Sequence, residues 1–376
     1  MGDSVLSYLP LASVSFISAL VGVAFFVPQV RDFAIRIGAV QTGGGRRVHS
    51  GSIPNIGGIA ILGGFLVALL LSSIFQPALL DEYRVELLAV VLGGSLMALV
   101  GFIDDMWDIP PLMRLASQFV AAGILVVNGV KIDYITNYFG QMGMFADSQY
   151  VYLSSMTNVV TISVTLLWIV GFTNAFNFID GLDGLSSGIA AISSMSLLAV
   201  AMQFPNRGAA VLLLAALAGS ALGFLRHNFT PAKIYMGDSG AYMLGYILAG
   251  VSVLGALKVT AAVTVVVPVL VLALPVLNIT QVTVRRLTRG VSPAKAANDH
   301  LHDIIRERSG SKRTAVILLW LATLALGALG MILSQTPAIL TLLTITATVV
   351  LIGSVCVLRL LEVRKETARD TVPAGD

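Results

Sequence analysis

Charge is what this sequence lacks most. Only 11% of its 376 residues are Asp, Glu, Lys or Arg, against about 25% in a soluble globular domain. A mean hydropathy of +0.89 points the same way. Cysteine is nearly absent: Cys356 stands alone, which excludes an intrachain disulfide and a cysteine metal site. There are four histidines, no internal repeat, no low-complexity tract and no long linker. The first apolar stretch is preceded by Asp3 and not by a basic segment, so a retained first span is expected in place of a cleaved signal peptide. The net charge of +3 does not indicate nucleic-acid binding, because the basic residues are scattered between apolar stretches. There they act as topology signals.

What is present is long apolar runs. A membrane span needs about 20 predominantly apolar residues. Candidates lie near 8–30, 56–77, 85–103, 112–130, 157–175, 185–203, 209–226, 239–256, 260–284, 314–334 and 338–359. The last pair before 284 is so closely spaced that a broken or tilted arrangement is compatible with it. With alternating loops, nineteen of the 23 Lys and Arg fall on one side, leaving Arg84, Lys131, Arg207 and Lys258 on the other. This positive-inside bias predicts the N-terminus outside and the C-terminus in the cytosol. The expectation is therefore an all-α polytopic membrane protein of about eleven spans. It forms a single bundle over residues 1–361, followed by a polar cytosolic tail over 362–376. Its cytosolic loops lie near 31–55, 104–111, 176–184, 227–239 and 285–313. The aromatic-rich outer stretch 131–152 reads either as a short hairpin or as an interfacial aromatic belt.

All the histidines and most of the acids also sort to one face, with Asp81, Glu82, Asp133 and Asp147 left on the other. Asp104, Asp105, Asp108, Asp180, Asp183 and Asp238 all fall beside span ends on the cytosolic side, as do His49, His227, His300 and His302. Ionisable groups set against apolar spans are costly and mark function. Gly101-Phe-Ile-Asp104-Asp105 brings two adjacent carboxylates, which need a cation or a donor to offset them. Asn174-Ala-Phe-Asn177-Phe-Ile-Asp180-Gly-Leu-Asp183-Gly repeats polar groups every third residue, nearly one helical face. Those groups suit a nucleotide or a shared metal; the plainer reading is a capped helix start at Asp183. Met236-Gly-Asp238-Ser-Gly either caps a helix or holds Mg²⁺ with a phosphate.

Asp299-His300-Leu-His302-Asp303 lies in a basic loop. His at i and i+2 is not helical zinc spacing, and the neighbouring arginines fit a diphosphate better. Thr42-Gly-Gly-Gly45-Arg46-Arg47, followed by Pro54-Asn-Ile-Gly57-Gly58, suits a phosphate cradle or a flexible loop. It lacks the Gly-Lys-Ser/Thr of a nucleotide-triphosphate loop.

Taken together, in this order from Arg47 to His302, these motifs resemble the polyprenyl-phosphate N-acetylhexosamine-1-phosphate transferases, the WecA/TagO/MraY-like glycosyltransferase family 4. The resemblance implies an enzyme of the bacterial inner (cytoplasmic) membrane whose active site faces the cytosol. It moves a sugar 1-phosphate from a UDP-sugar to a polyprenyl phosphate and releases UMP. Mg²⁺ is the implied cofactor, with Mn²⁺ a workable substitute. The implied partners are the UDP-sugar, the polyprenyl phosphate and membrane lipids, with no nucleic acid; a homodimer is a compatible assembly. Residue by residue, Asp104, Asp105 and Asp183 match catalytic positions, and Asp238 with Asp180 match metal positions. Arg47, Asn174, Asn177, Asp180, Asn228, His300 and His302 match substrate-binding positions. His300-Leu-His302 points to the GlcNAc-1-phosphate branch over the UDP-MurNAc-pentapeptide branch, although Asp303 stands where that branch commonly has His. The rival from another class is a transporter of an anionic substrate, which would place ionisable groups near the membrane midplane.

Overall fold

The computed structural model describes residues 2–41, 52–132, 134–136, 150–152, 157–255, 266–288, 290 and 300–370. Among these the chain is helical almost throughout. The helices are α1 Gly2–Ile37, α2 Gly58–Phe75, α3 Pro77–Trp107, α4 Pro111–Val127, α5 Asn158–Ile179, α6 Leu185–Ala201, α7 Gly208–Asn228, α8 Gly237–Gly255, α9 Val266–Val271, α10 Ala273–Thr288, α11 Leu301–Ser309, α12 Lys312–Leu333 and α13 Ala338–Asp370. Seven of them are long and apolar enough to cross a membrane: α1, α2, α3, α5, α7, α12 and α13. Two more, α4 and α6, are apolar but shorter. The protein is a polytopic membrane protein, since apolar helices of this length satisfy all their backbone groups internally.

Among the described residues the apolar runs are helical over most of their length. The described part of the run at 260–284 is divided into α9 and α10 at Leu272. The polar stretch after 362 does not begin as loose tail: α13 continues through it to Asp370. Glu, Arg, Lys and Ala dominate there and are good helix formers. The aromatic stretch 131–152 contains a hairpin, with β3 Tyr134–Thr136 antiparallel to β4 Tyr150–Tyr152. A second two-residue pair, β1 Val40–Gln41 with β2 Ile53–Pro54, brackets the segment that leads into α2.

Helix α7 is the hub. Its whole apolar window is buried, so it is hydrophobic all round and enclosed by neighbours. It packs on α1, α6, α2 and α8. Polar pairs tie α1 to it: Ser15 Oγ donates to the Leu212 carbonyl, and the Arg207 N–H donates to Tyr8 Oη. At the periphery α13 buries only 17% of its window.

Helix direction then decides where chemistry can sit. The C-terminal ends of α3, α5 and α7 and the N-terminal ends of α2, α4, α6, α8 and α11 meet at one end of the bundle. Side-chain and backbone contacts join them there. Every acidic motif read from the sequence lies on one of those ends.

Candidate active site

The two carboxylates that end α3 have different jobs. Asp104 is buried. Its Oδ1 accepts the Ile109 N–H at 3.0 Å, closing the turn into α4. Its Oδ2 accepts from the Arg114 guanidinium and from Tyr242 Oη, both at 3.1 Å. Asp105 faces α8. Its Oδ1 accepts the Asp238 N–H at 2.9 Å and the Asn55 amide at 3.0 Å, and its Oδ2 accepts the Ser239 N–H at 3.1 Å. A helix N-terminus leaves such N–H groups without intrahelical partners and carries a partial positive charge. Asp105 thus caps α8 from a different helix.

This arrangement needs glycine twice. Gly101 lies against the backbone of Asp238 and Ser239, where a β-carbon would overlap main-chain atoms. Gly237 has φ +70, the left-handed region, and packs against the Asn55 carbonyl and the Asp105 carboxylate. Pro54–Gly58 completes the floor: the Tyr235 N–H donates to the Pro54 carbonyl, and the Gly57 and Gly58 N–H groups donate to the Tyr235 and Met236 carbonyls.

Asp238 opens α8. Its Oδ1 accepts from the Asn177 side-chain amide, and its carboxyl stands within hydrogen-bonding reach of Asp104. Two carboxyls that close require a shared proton or a cation. Asp180, just beyond α5, accepts from Ser186 Oγ at 2.6 Å. No three acidic or histidine side chains converge as a metal cage among the described residues. That donor set fits Mg²⁺, which is held by one or two carboxylates and completed by water and substrate phosphate. Asp238 and Asp180 are the residues that would hold it.

Three further motif residues are bonded within the protein. Asp183 is buried; its Oδ2 accepts the Ala232 N–H and its carbonyl accepts Thr230 Oγ1, each at 3.3 Å. Asn228 uses both ends of its amide. Oδ1 accepts from the Gly184 N–H and Ser187 Oγ, and Nδ2 donates to the Ile234 carbonyl. Asn174 forms a two-way amide pair with buried Gln118 of α4, and also donates to the Val170 carbonyl. A shallow cleft remains open between Asn55, Asp180, Gly181, Asp183 and Asn228.

The two histidines lie beside Gly181, one of the residues that line that cleft. His302 packs on Gly181, whose β-carbon, if present, would overlap the imidazole. His300 stacks on His302 with ring centroids 5.2 Å apart and lies 5.6 Å from Phe178. Burial pulls the His302 pKa down from 6.5 to about 4. Asp303 opposes that shift, while His300 and Arg306 add to it. The ring is therefore neutral near pH 7, and its 3.7 Å approach to Asp303 is not an ion pair there. Asp303 pairs instead with Arg306 at 3.3 Å. Arg47 lies outside the described residues.

Several residues that complete the site carry no motif of their own in the sequence reading. Asn55, Arg114, Gln118 and Tyr242 are named above. Asn278 of α10 is fully buried; its Nδ2 donates to the Phe178 carbonyl and its Oδ1 accepts the Leu301 N–H. It fixes the histidine loop to the end of α5. Asn55 lies inside the Pro-Asn-Ile-Gly-Gly segment of the sequence. Gln118 and Asn278 are visible there only as single amides within helical stretches, and Arg114 and Tyr242 carry no comparable mark.

Known proteins resemble the chain across this region. The description of Glycosyl transferase family 4 matches residues 87–256, which hold the paired aspartates, the Asn-Asp stretch and Asp238. The decaprenyl-phosphate N-acetylglucosaminephosphotransferase of Mycolicibacterium smegmatis is 35% identical over 340 residues, 85% of this chain and 81% of that one. Its Mycobacterium tuberculosis H37Rv counterpart is 33% identical over the same length, with the same shares. The undecaprenyl-phosphate alpha-N-acetylglucosaminyl 1-phosphate transferase of Yersinia pestis is 27% identical over 314 residues, 82% of this chain and 80% of that one. With relatives at this identity aligned over most of both chains, and with the acids on three helix ends brought to one place, the chain belongs to glycosyl transferase family 4.

Proposed function

We propose that this protein transfers GlcNAc-1-phosphate from UDP-GlcNAc to a polyprenyl phosphate, forming the polyprenyl-diphosphate sugar and releasing UMP. The observation that carries the reading is the convergence of Asp104, Asp105, Asp180 and Asp238 with the α8 N-terminus at a single end of the bundle. The relatives' activity on GlcNAc and long polyprenyl phosphates supports the choice of substrates. We place that end at the cytosolic face of a bacterial inner membrane, within a bundle of eleven spans, on the strength of the Lys and Arg distribution.

Phosphoryl transfer depends on alignment and charge neutralisation more than on covalent help. Asp238, oriented by Asn177, and Asp180 would hold Mg²⁺, which supplies charge neutralisation on the diphosphate. Asp105 fixes the α8 N-terminus so that Asp238 keeps its place. Asp104, paired with Arg114 and Tyr242, lies beside Asp238, where it would keep the acceptor phosphate deprotonated and aimed at the sugar-linked phosphorus. The neutral imidazole of His302 sits over Gly181 with His300 stacked on it, and the two rings would donate hydrogen bonds to diphosphate oxygens. Arg47 is assigned to the same phosphates. Asp183, Asn228 and Asn174 act by building the walls: Asp183 holds the 229–236 loop, and Asn228 and Asn174 lock helix ends. An acceptor whose tail stays in lipid requires a site at this boundary.

The test is UMP release from purified protein, across a panel of UDP-sugars, with and without polyprenyl phosphate. UMP formed from UDP-GlcNAc only when polyprenyl phosphate is present is the expected result. Release of UDP would identify a glycosyltransferase that makes a monophosphate-linked product, and release of neither would return the transporter reading.

A further inference from the structure

Helix α13 poses a docking problem. Only 17% of its apolar window is buried, so most of it faces lipid. Apolar side chains gain little from leaving lipid for a neighbouring helix, which leaves packing and polar bonds to fix such a helix in place. Its polar bonds are concentrated at the end near the site. Arg359 is 2% exposed, and its Nη2 donates to the Pro231 carbonyl at 2.6 Å. Glu362, one turn on, accepts from Arg226 of α7 at 2.6 Å and lies 3.6 Å from Lys233 and 3.8 Å from Arg359.

Pro231 and Lys233 belong to the loop that links α7 to α8. That loop is the spine of the site. Its Ala232 N–H and Thr230 hydroxyl grip Asp183, its Ile234 carbonyl takes the Asn228 amide, and it ends in Gly237-Asp238. The guanidinium therefore binds a carbonyl one residue from the Asp183 contact. Arg359 also lies beyond residues 87–256, the stretch that the family description covers.

We propose that Arg359 is a positioning residue for the transfer reaction, clamping the 229–236 loop through the Pro231 carbonyl while Glu362 ties the same helix end to Arg226 and Lys233. The inference rests on the proposed transferase reading for its kinetic consequence, but not for the clamp itself. A guanidinium can hold a carbonyl and a carboxylate with separate N–H groups in a fixed fork, whereas a lysine ammonium has no such geometry.

The experiment uses the full chain, purified in lipid nanodiscs, as wild type, Arg359→Gln, Arg359→Lys and Glu362→Gln. Hydrogen–deuterium exchange across 229–236 is read beside exchange across 101–107. UMP release supplies kcat and the KM for UDP-GlcNAc, each per folded enzyme. Arg359→Gln is expected to raise exchange in 229–236 but not in 101–107. It should lower kcat at least tenfold while KM changes less than threefold. Arg359→Lys should recover part of kcat, and Glu362→Gln should show a smaller loss. Unchanged exchange in 229–236, or a kcat within twofold of wild type in every variant, would overturn the clamp. Should Arg359→Gln fail to fold, the other two variants carry the same criteria. Should the wild type release no UMP, the transferase reading fails, and the exchange measurement still decides whether Arg359 holds the loop.

Discussion

Adjacent aspartates with identical chemistry are separated here by what they touch. Asp105 satisfies three donors, two of them backbone N–H groups at the start of α8. Leaving a buried donor without a partner costs about 1–3 kcal/mol, so Asp105→Ala is expected to lose both activity and a few kcal/mol of stability. Asn177 makes one bond to Asp238, at a partly exposed position. Asn177→Ala should therefore lower UMP release at least tenfold and keep its unfolding midpoint within a few degrees of wild type. Thermal unfolding of the two variants in one detergent separates them; equal destabilisation would remove the capping role given to Asp105. His302 provides the pH counterpart. Its folded pKa of about 4 lies below the 6.5 of an exposed imidazole, so the unfolded chain binds the extra proton first. Stability is full above pH 6.5 and falls as pH drops from there towards 4. Replacing His302 with Gln should flatten that acid limb in a plot of unfolding midpoint against pH, and an unchanged slope would assign the limb to other groups.

Between elements, the decisive quantity is how closely backbones approach. α3 and α8 meet at Gly101, where the α8 main chain occupies the space of a side chain. Overpacking a tight contact typically costs about 1–3 kcal/mol, and here it would also push Asp238 away from Asp104 and Asn177. Gly101→Val is thus expected to abolish UMP release and lower the unfolding midpoint, whereas Gly123→Val in α4, where nothing lies nearby, should do neither. This contrast also marks the limit of what the sequence discloses. Apolar runs are legible because a span needs little beyond length and hydropathy, and among the described residues the runs are helical over most of their length. The paired aspartates, the Asn-Asp stretch and Asp238 are legible because charge against an apolar span is rare. Asn278, Gln118 and Tyr242 are not, since each acts through a partner from 23 to 138 positions away in the chain. No periodicity records such a pairing. The roles of Asn228 and Asn174 are hidden for the same reason: composition shows a polar group near the site, but only the fold shows that its hydrogen bonds go to other helices.

At the scale of the whole molecule, the claim most exposed to test is sidedness. All the site-bearing helix ends lie at one end of the bundle, and alternating the loops of the sequence assigns most Lys and Arg to that same side. The positive-inside bias is the ground on which we propose that this end faces the cytosol. Cys356 is the only cysteine, so a Cys356→Ser chain is a clean background for single-cysteine labelling. Glu307 at the end of α11 and Ala338 at the start of α13 are both exposed and lie at opposite ends of the long helix α12 between them. In intact cells, a membrane-impermeant maleimide should label Ala338→Cys and leave Glu307→Cys unmodified until the membrane is opened. The reverse pattern would put the acidic site outside, where neither a cytosolic nucleotide sugar nor the Lys and Arg bias could be reconciled with it. Labelling of both positions in intact cells would mean that the chain inserts in two directions. The basic residues would then have to be too evenly weighted to set topology, contrary to their distribution of nineteen against four among the 23.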